Sequence, residues 1–395
     1  MSNAVAASTR DNNRWLFGPW PDLLFGCGLL YLCFFALLAW QGQLVANLFP
    51  LALTPLISLF LSIPHYGSTL LRVYENPRDR RKYQFFSVYL SLGVALWFVS
   101  SVYSSLAGSL LVTLYMIWSP WHYMGQNYGI ALMFLGRRGI QISPVTKRTI
   151  HLSFLCSYFL TLTEFLSFPS SDSFYRVITL ELSNGSRDVL LAIFGSMYLI
   201  STTKATIELK RKALLSDLLP TLLLFFSQAL WFLVPLVAMR LSLFQDTVAL
   251  SARHAIYAFF WVAIAHAIQY LWITSYYARK AGKGAPVSQF LGKALLAGAL
   301  IWVVPVVLFS PDLLGTRSYD AGLSILVAAA VNIHHFILDG AIWKLREGKI
   351  ASILLRDTRG DDKLTKPRAH AYFRATALGI GLLCVGAHYL GTVST

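Results

Sequence analysis

Five of the nine histidines in this 395-residue chain stand in apolar surroundings, and four of them have a polar side chain one helical turn further on. His65 in IPHYGSTL has Ser68 and Thr69, His122 in SPWHYMGQNYG has Gln126 and Asn127, and His266 in AHAIQYLW has Gln269 and Tyr270. The stretch VNIHHFILDG holds the other two, His334 and His335, together with Asn332 and Asp339. Residues three and four apart share a helix face, so a companion can be a further ligand or can hold the second ring nitrogen and fix its tautomer. Imidazoles without thiolates suit iron, copper or zinc. His65, His122, His266, His334 and His335 are therefore the candidate metal ligands, and Asp339 and Tyr270 the candidate catalytic groups. Gln126, Asn127, Gln269, Asn332, Tyr66, Trp121 and Tyr123 are candidates to support the ligands or to line a substrate cavity.

These side chains must be carried by helices in lipid. Hydrophobic residues make up 56% of the chain and charged residues 13%, and the mean hydropathy is +0.57, which excludes an ordinary soluble globule with a charged exterior. The formal charge of +15 is not gathered on a polar domain, so no nucleic-acid partner is expected. Cys27, Cys33, Cys156 and Cys384 are dispersed in apolar runs and suggest neither a disulfide framework nor a zinc ribbon. The first apolar run is far longer than a signal-peptide core and has no cleavage pattern behind it, so it reads as a true span.

Apolar windows of helical length give an all-α bundle of eleven expected spans, at 21–41, 45–71, 84–103, 106–135, 149–168, 188–203, 214–239, 247–278, 290–309, 321–343 and 371–391. Basic connections such as ENPRDRRKY and KATIELKRK alternate with connections poor in lysine and arginine. That alternation predicts a cytoplasmic amino terminus (tail 1–20), a carboxyl terminus outside and a cytoplasmic loop at 345–370 with an interfacial helix at IASILLRD. The whole chain, 1–395, reads as one integral membrane domain, and a bacterial inner membrane is the expected location because no eukaryotic targeting signal is visible.

Counting back from the basic residues that end the even-numbered spans places the histidines at similar depths. His65 precedes Arg72 by 7 residues, His122 precedes Arg137 by 15, His266 precedes Arg279 by 13 and His334 precedes Lys344 by 10. At about 1.5 Å per residue these depths differ by about 12 Å, within the error from tilt. A single intramembrane histidine is more often hydrogen-bonding glue between helices than a ligand. Five at one level are different, because glue has no reason to choose one leaflet half. The remaining histidines, His151, His254, His370 and His388, read as interfacial or outer-end residues.

A buried, mostly neutral ligand set with bulky apolar walls fits oxygen activation on a lipophilic molecule that enters from the bilayer. Iron, mono- or dinuclear, is the expected metal; copper, zinc and haem are the alternatives. Histidines spread over several spans, with HFILD supplying a His-x3-Asp piece at His335 and Asp339, resemble the Brp/Blh-type membrane carotenoid dioxygenases. IPHYGSTL stands where that family carries an HGALD-like motif. The resemblance implies a histidine-ligated iron that cleaves β-carotene to retinal, held by His65, His122, His266 and either His334 or His335. Histidine boxes of the desaturase kind and Asp-rich prenyl-diphosphate motifs are absent. Three other readings stay open: a multi-span acyltransferase using His122 and Asn127, a haem-binding electron carrier, and a proton-coupled transporter.

Overall fold

The computed structural model describes residues 14–40, 53–75, 77–167, 175–233, 252–281, 286–343 and 348–355. All of these fall in one compact unit, Met1–Arg356, and every regular element among them is helical. Helix α1 is Leu29–Trp40, α2 is Ile63–Tyr74, α3 is Phe85–Tyr103, α4 is Ser105–Arg137 and α5 is Pro144–Ser167. Then follow α6 (Asn184–Lys210), α7 (Leu215–Phe232), α8 (Ala252–Ala281), α9 (Val287–Leu308), α10 (Tyr319–Ile342) and the short α11 (Gly348–Leu354). The last coincides with the expected interfacial helix at IASILLRD, whereas the expected span 371–391 lies outside the described residues.

Among the described residues, six helices are long and apolar enough to cross a membrane: α3, α5, α6, α7, α9 and α10. A seventh crossing is possible if Pro19–Gly26 and Leu29–Leu37, bent by 61°, count as one span. The expected count of eleven and the expected orientation are accordingly not supported, although helices do stand at the other ten expected positions. Of the five other expected spans, one is the bent pair and one lies outside the described residues, so three long segments remain. They are α2 with the turns leading into it, α4 and α8, which carry His65, His122 and His266 with their polar companions. Polar residues that face a protein interior lower a helix's mean hydropathy without removing it from the bilayer.

Exposure fits the same picture. The most apolar window of α9 has a mean hydropathy of 2.1 with only 11% of it buried, and that of α6 is only 17% buried. Leu199, Ile200, Leu296 and Leu300 are all more than 60% exposed. Such faces are stable against lipid and costly against water.

Small residues and breaks in regularity set the helices around the site. A Cβ on Gly67 of α2 would run into the carbonyl of Ala294 on α9, and one on Gly298 of α9 would run into the carbonyl of Ile63. Two backbones in direct contact fix the rotation of α2 and thus the direction of His65. A π-helical turn, Ser58–Ser62, precedes α2, and Pro64 follows it. In α4, Pro120 sits two residues before His122 and leaves the Met116 carbonyl without its helical partner. Asp22 is fully buried and accepts from the backbone N–H of Leu16 and Phe17 and from Trp272 Nε1 (2.5, 3.1 and 3.0 Å), tying the amino-terminal segment to α8.

Candidate metal centre

Four imidazoles from four helices meet at one place. His65 (α2), His122 (α4), His266 (α8) and His335 (α10) can each offer a ring nitrogen such that all four atoms lie within 4.8 Å of one another. Their ring centroids are 4.1 Å apart for His65 and His335, 5.0 Å for His65 and His266, 4.9 Å for His122 and His266, and 5.0 Å for His122 and His335. An ion about 2.1 Å from each nitrogen needs neighbouring ligand atoms about 3.4 Å apart, or about 4.2 Å across the ion. The cluster therefore needs only a small closure to grip one ion.

The donors are also unpaired. Both nitrogens of His65, both of His266, Nε2 of His122 and Nε2 of His335 are buried without a hydrogen-bond partner. The Ser62 carbonyl faces the His65 ring without completing a hydrogen bond. Buried polar atoms are nearly always satisfied, because leaving one bare forfeits its hydration. Four rings that each offer one nitrogen to a shared centre, with bare nitrogens on all of them, suit lone-pair donation to a cation. The four histidines are positioned to hold a metal ion.

His334 does not join them. Successive helical residues are about 100° apart, so two adjacent histidines cannot face the same point. The inward face of α10 goes to His335, and His334 turns to α3, where its Nε2 lies 2.8 Å from Ser91 Oγ. The expectation of His334 as a ligand is corrected accordingly.

Asp339 and Tyr270, the candidate catalytic groups, lie beside the four rings. Tyr270 Oη donates to Asp339 Oδ1 (2.5 Å) and accepts from Trp343 Nε1 (3.0 Å). Thr69 Oγ1 donates to the same Oδ1 (3.0 Å), and lies 2.6 Å from Tyr270 Oη and 2.9 Å from His335 Nδ1. With the Thr69 proton committed to the carboxylate, His335 Nδ1–H donates to Thr69, leaving the Nε2 lone pair for the ion. Asp339 Oδ2 faces the rings, 3.4 Å from His335 Nε2 and 3.7 Å from His122 Nε2. It is the one carboxylate oxygen within reach of the cluster among the described residues.

The supporting residues divide. Tyr66 packs on His65 (4.5 Å) and His335 (5.5 Å) and donates its hydroxyl to Asn332 Oδ1 (3.0 Å), so Asn332 reaches the centre only through Tyr66. Tyr123 lies against His266 (4.4 Å). Gln126 donates to the His266 carbonyl (3.2 Å) and to Gln269 Oε1 (2.5 Å), not to a ring nitrogen. Gln269 in turn donates to Gly26 O (2.9 Å) and Asn127 Oδ1 (3.1 Å), Asn127 to Gln228 Oε1 (2.9 Å) and Gln228 to Ser157 Oγ (2.8 Å). Asn127 and Gln269 are thus interhelical glue rather than ring-orienting groups, because satisfied amides cross-link α4, α7 and α8. Trp121 is 42% exposed and packs on Tyr158 (5.4 Å).

Beside the centre runs a cavity of 340 Å³ whose lining includes His122, Asp339, Trp118, Trp121, Phe336 and Trp343. Gly125, Gly129 and Gly340 also line it, and a Cβ on any of them would meet nothing within 4 Å. Apolar walls, small residues as a floor and a half-exposed tryptophan at the rim suit an apolar guest arriving from the bilayer. Trp343 and Phe336, whose ring lies 4.5 Å from His122, are site residues that the sequence reading did not place there, while Thr69, expected beside His65, instead serves His335 and Asp339. Neither a protein family, nor a curated protein, nor a solved structure matches the chain.

Proposed function

We propose that the chain is a membrane-embedded, histidine-ligated metalloenzyme, carrying non-haem iron, that oxidises or cleaves a lipophilic molecule such as an isoprenoid, carotenoid or other lipid. The convergence of four buried imidazoles, each with an unpaired ring nitrogen, carries this reading. Iron bound there supplies dioxygen activation. His65, His122, His266 and His335 bind it, Tyr66 and Tyr123 pack the rings in place, and Thr69 sets the tautomer of His335. Asp339 Oδ2 would either add an oxygen as a fifth donor or hold a proton at the rim, and Tyr270 keeps the carboxylate oriented. The cavity along α4 and α10 receives the apolar substrate and excludes water from the centre.

The rival readings fit the geometry less well. A haem needs room for its planar ring between two axial histidines, and four ring nitrogens within 4.8 Å leave none. A single-base acyltransferase leaves three converging histidines without a task, and Asn127 is already engaged by Gln228 and Gln269. A proton relay needs bonded or water-bridged partners in series, whereas these rings share one centre. For topology we retain eleven crossings with the amino terminus cytoplasmic, in a bacterial inner membrane; the basic connections and the polar helices packed inside the apolar ones support it.

The test is aerobic oxygen uptake by protein loaded with ferrous iron in detergent, with and without an extract of membrane lipids. The expected result is uptake that needs both the iron and the lipid fraction, with an oxidised lipid product. Iron-loaded protein that consumes no oxygen and changes no lipid, or a Soret band in the purified protein, overturns the proposal.

A further inference from the structure

A second cavity, of 500 Å³, lies at the basic ends of α2 and α8 and the start of α9, and the metal chemistry does not use it. Its lining carries three cations, Arg72, Arg279 and Lys293, against two carboxylates, Glu75 and Asp79. Lys293 is matched by Glu75 (2.7 Å), and Nη1 of Arg72 by Asp79 (2.7 Å). Arg72 is far from an ordinary surface arginine: its side chain is 8% exposed, its guanidinium sits 4.6 Å over the ring of Tyr277, and its Nε has no partner. The hydroxyl of Tyr277, which also lines the cavity, is buried and unpartnered. The 22-residue α9 begins here at Val287, with no side-chain cap on its first turn, and Val287 and Gln289 face the cavity.

We infer that this cavity binds an anionic phosphate group. An arginine held flat by a tyrosine ring can serve one carboxylate and one further oxyanion through its separate N–H edges. An uncapped helix start adds N–H donors and a positive field to the same space. Arg279 supplies a cation that Glu75 and Asp79 do not match. Trp343 lines this cavity too and donates to the Tyr270 hydroxyl, so the occupant lies one side chain away from the Tyr270–Asp339 pair. The phosphate belongs either to a lipid headgroup or to a soluble phosphorylated compound. Its binding is independent of the iron reading.

The experiment uses the full chain in lipid-depleted detergent. Calorimetric titration with inorganic pyrophosphate forms one arm, and retention of phosphatidic acid over phosphatidylcholine in native mass spectrometry forms the other. Arg279→Gln, at an exposed position, and the charge-conserving Arg72→Lys are compared with the wild type after folding is checked by size exclusion. Saturable pyrophosphate binding weakened about tenfold or more in either variant assigns a soluble ligand, since a hydrogen bond to a charged group is of that strength. Selective phosphatidic acid retention lost in the variants assigns a headgroup. Wild-type protein that takes up neither, or variants that bind as the wild type does, overturns the inference.

Discussion

The hydroxyl of Thr69 on α2 lies 2.9 Å from Nδ1 of His335 on α10. With its own proton on Asp339 Oδ1, Thr69 presents a lone pair to His335 and so decides which ring nitrogen is free. Thr69→Val keeps the shape and removes the hydroxyl. Chelator competition is expected to show metal affinity about 10- to 100-fold lower, the usual cost of losing an outer-shell partner, while Thr69→Ser stays near wild type. Unchanged affinity in Thr69→Val would remove this role.

Adjacent histidines on α10 should separate cleanly. His335→Ala is expected to abolish metal retention, whereas His334→Ala, which breaks the hydrogen bond with Ser91, should retain wild-type stoichiometry. A His334→Ala protein that loses the metal, or a His335→Ala protein that keeps it, reverses the assignment of the two rings.

How far the site could be read beforehand follows from these same residues. Polar groups repeated at one depth in apolar runs are visible in any sequence, and they marked His65, His122, His266 and the His334–His335 pair. Which of that pair faces inward depends on the rotation of α10, and that is set by packing with α2 and α4 rather than by local spacing. The one-turn rule attached Thr69 to His65, on its own helix, but the hydroxyl bonds across to His335 and Asp339. Trp343 lies beyond the end of α10 and carries no motif; only the need of a buried indole N–H for a partner hinted at it. The eleven spans were drawn from hydropathy, the quantity that site-bearing helices lower, so the positions of the helices were more legible than the number of crossings.

The contact between α2 and α9 is a second point of control. Gly298→Val places branched carbons against the Ile63 carbonyl, and overpacking of this kind costs about 1–3 kcal/mol. Thermal unfolding followed by size exclusion in detergent should show a lower midpoint and, because α2 carries His65, a weaker hold on metal. A variant as stable as the wild type would show that the two backbones part without cost.

Filling the apolar cavity should separate substrate from metal. Gly125→Leu and Gly129→Leu project into space that is open beside His122. Both are expected to keep full metal content while oxidised lipid product falls at least several-fold. Equal turnover in both variants would place the substrate elsewhere.

Elemental analysis of the purified chain and its single variants bears most directly on the four-helix centre. The account predicts iron near stoichiometry in the wild type, falling below about a tenth of it in each of His65→Ala, His122→Ala, His266→Ala and His335→Ala, since each removes one donor from a common ion. Wild-type protein without bound metal after loading, or metal that survives all four substitutions, contradicts it.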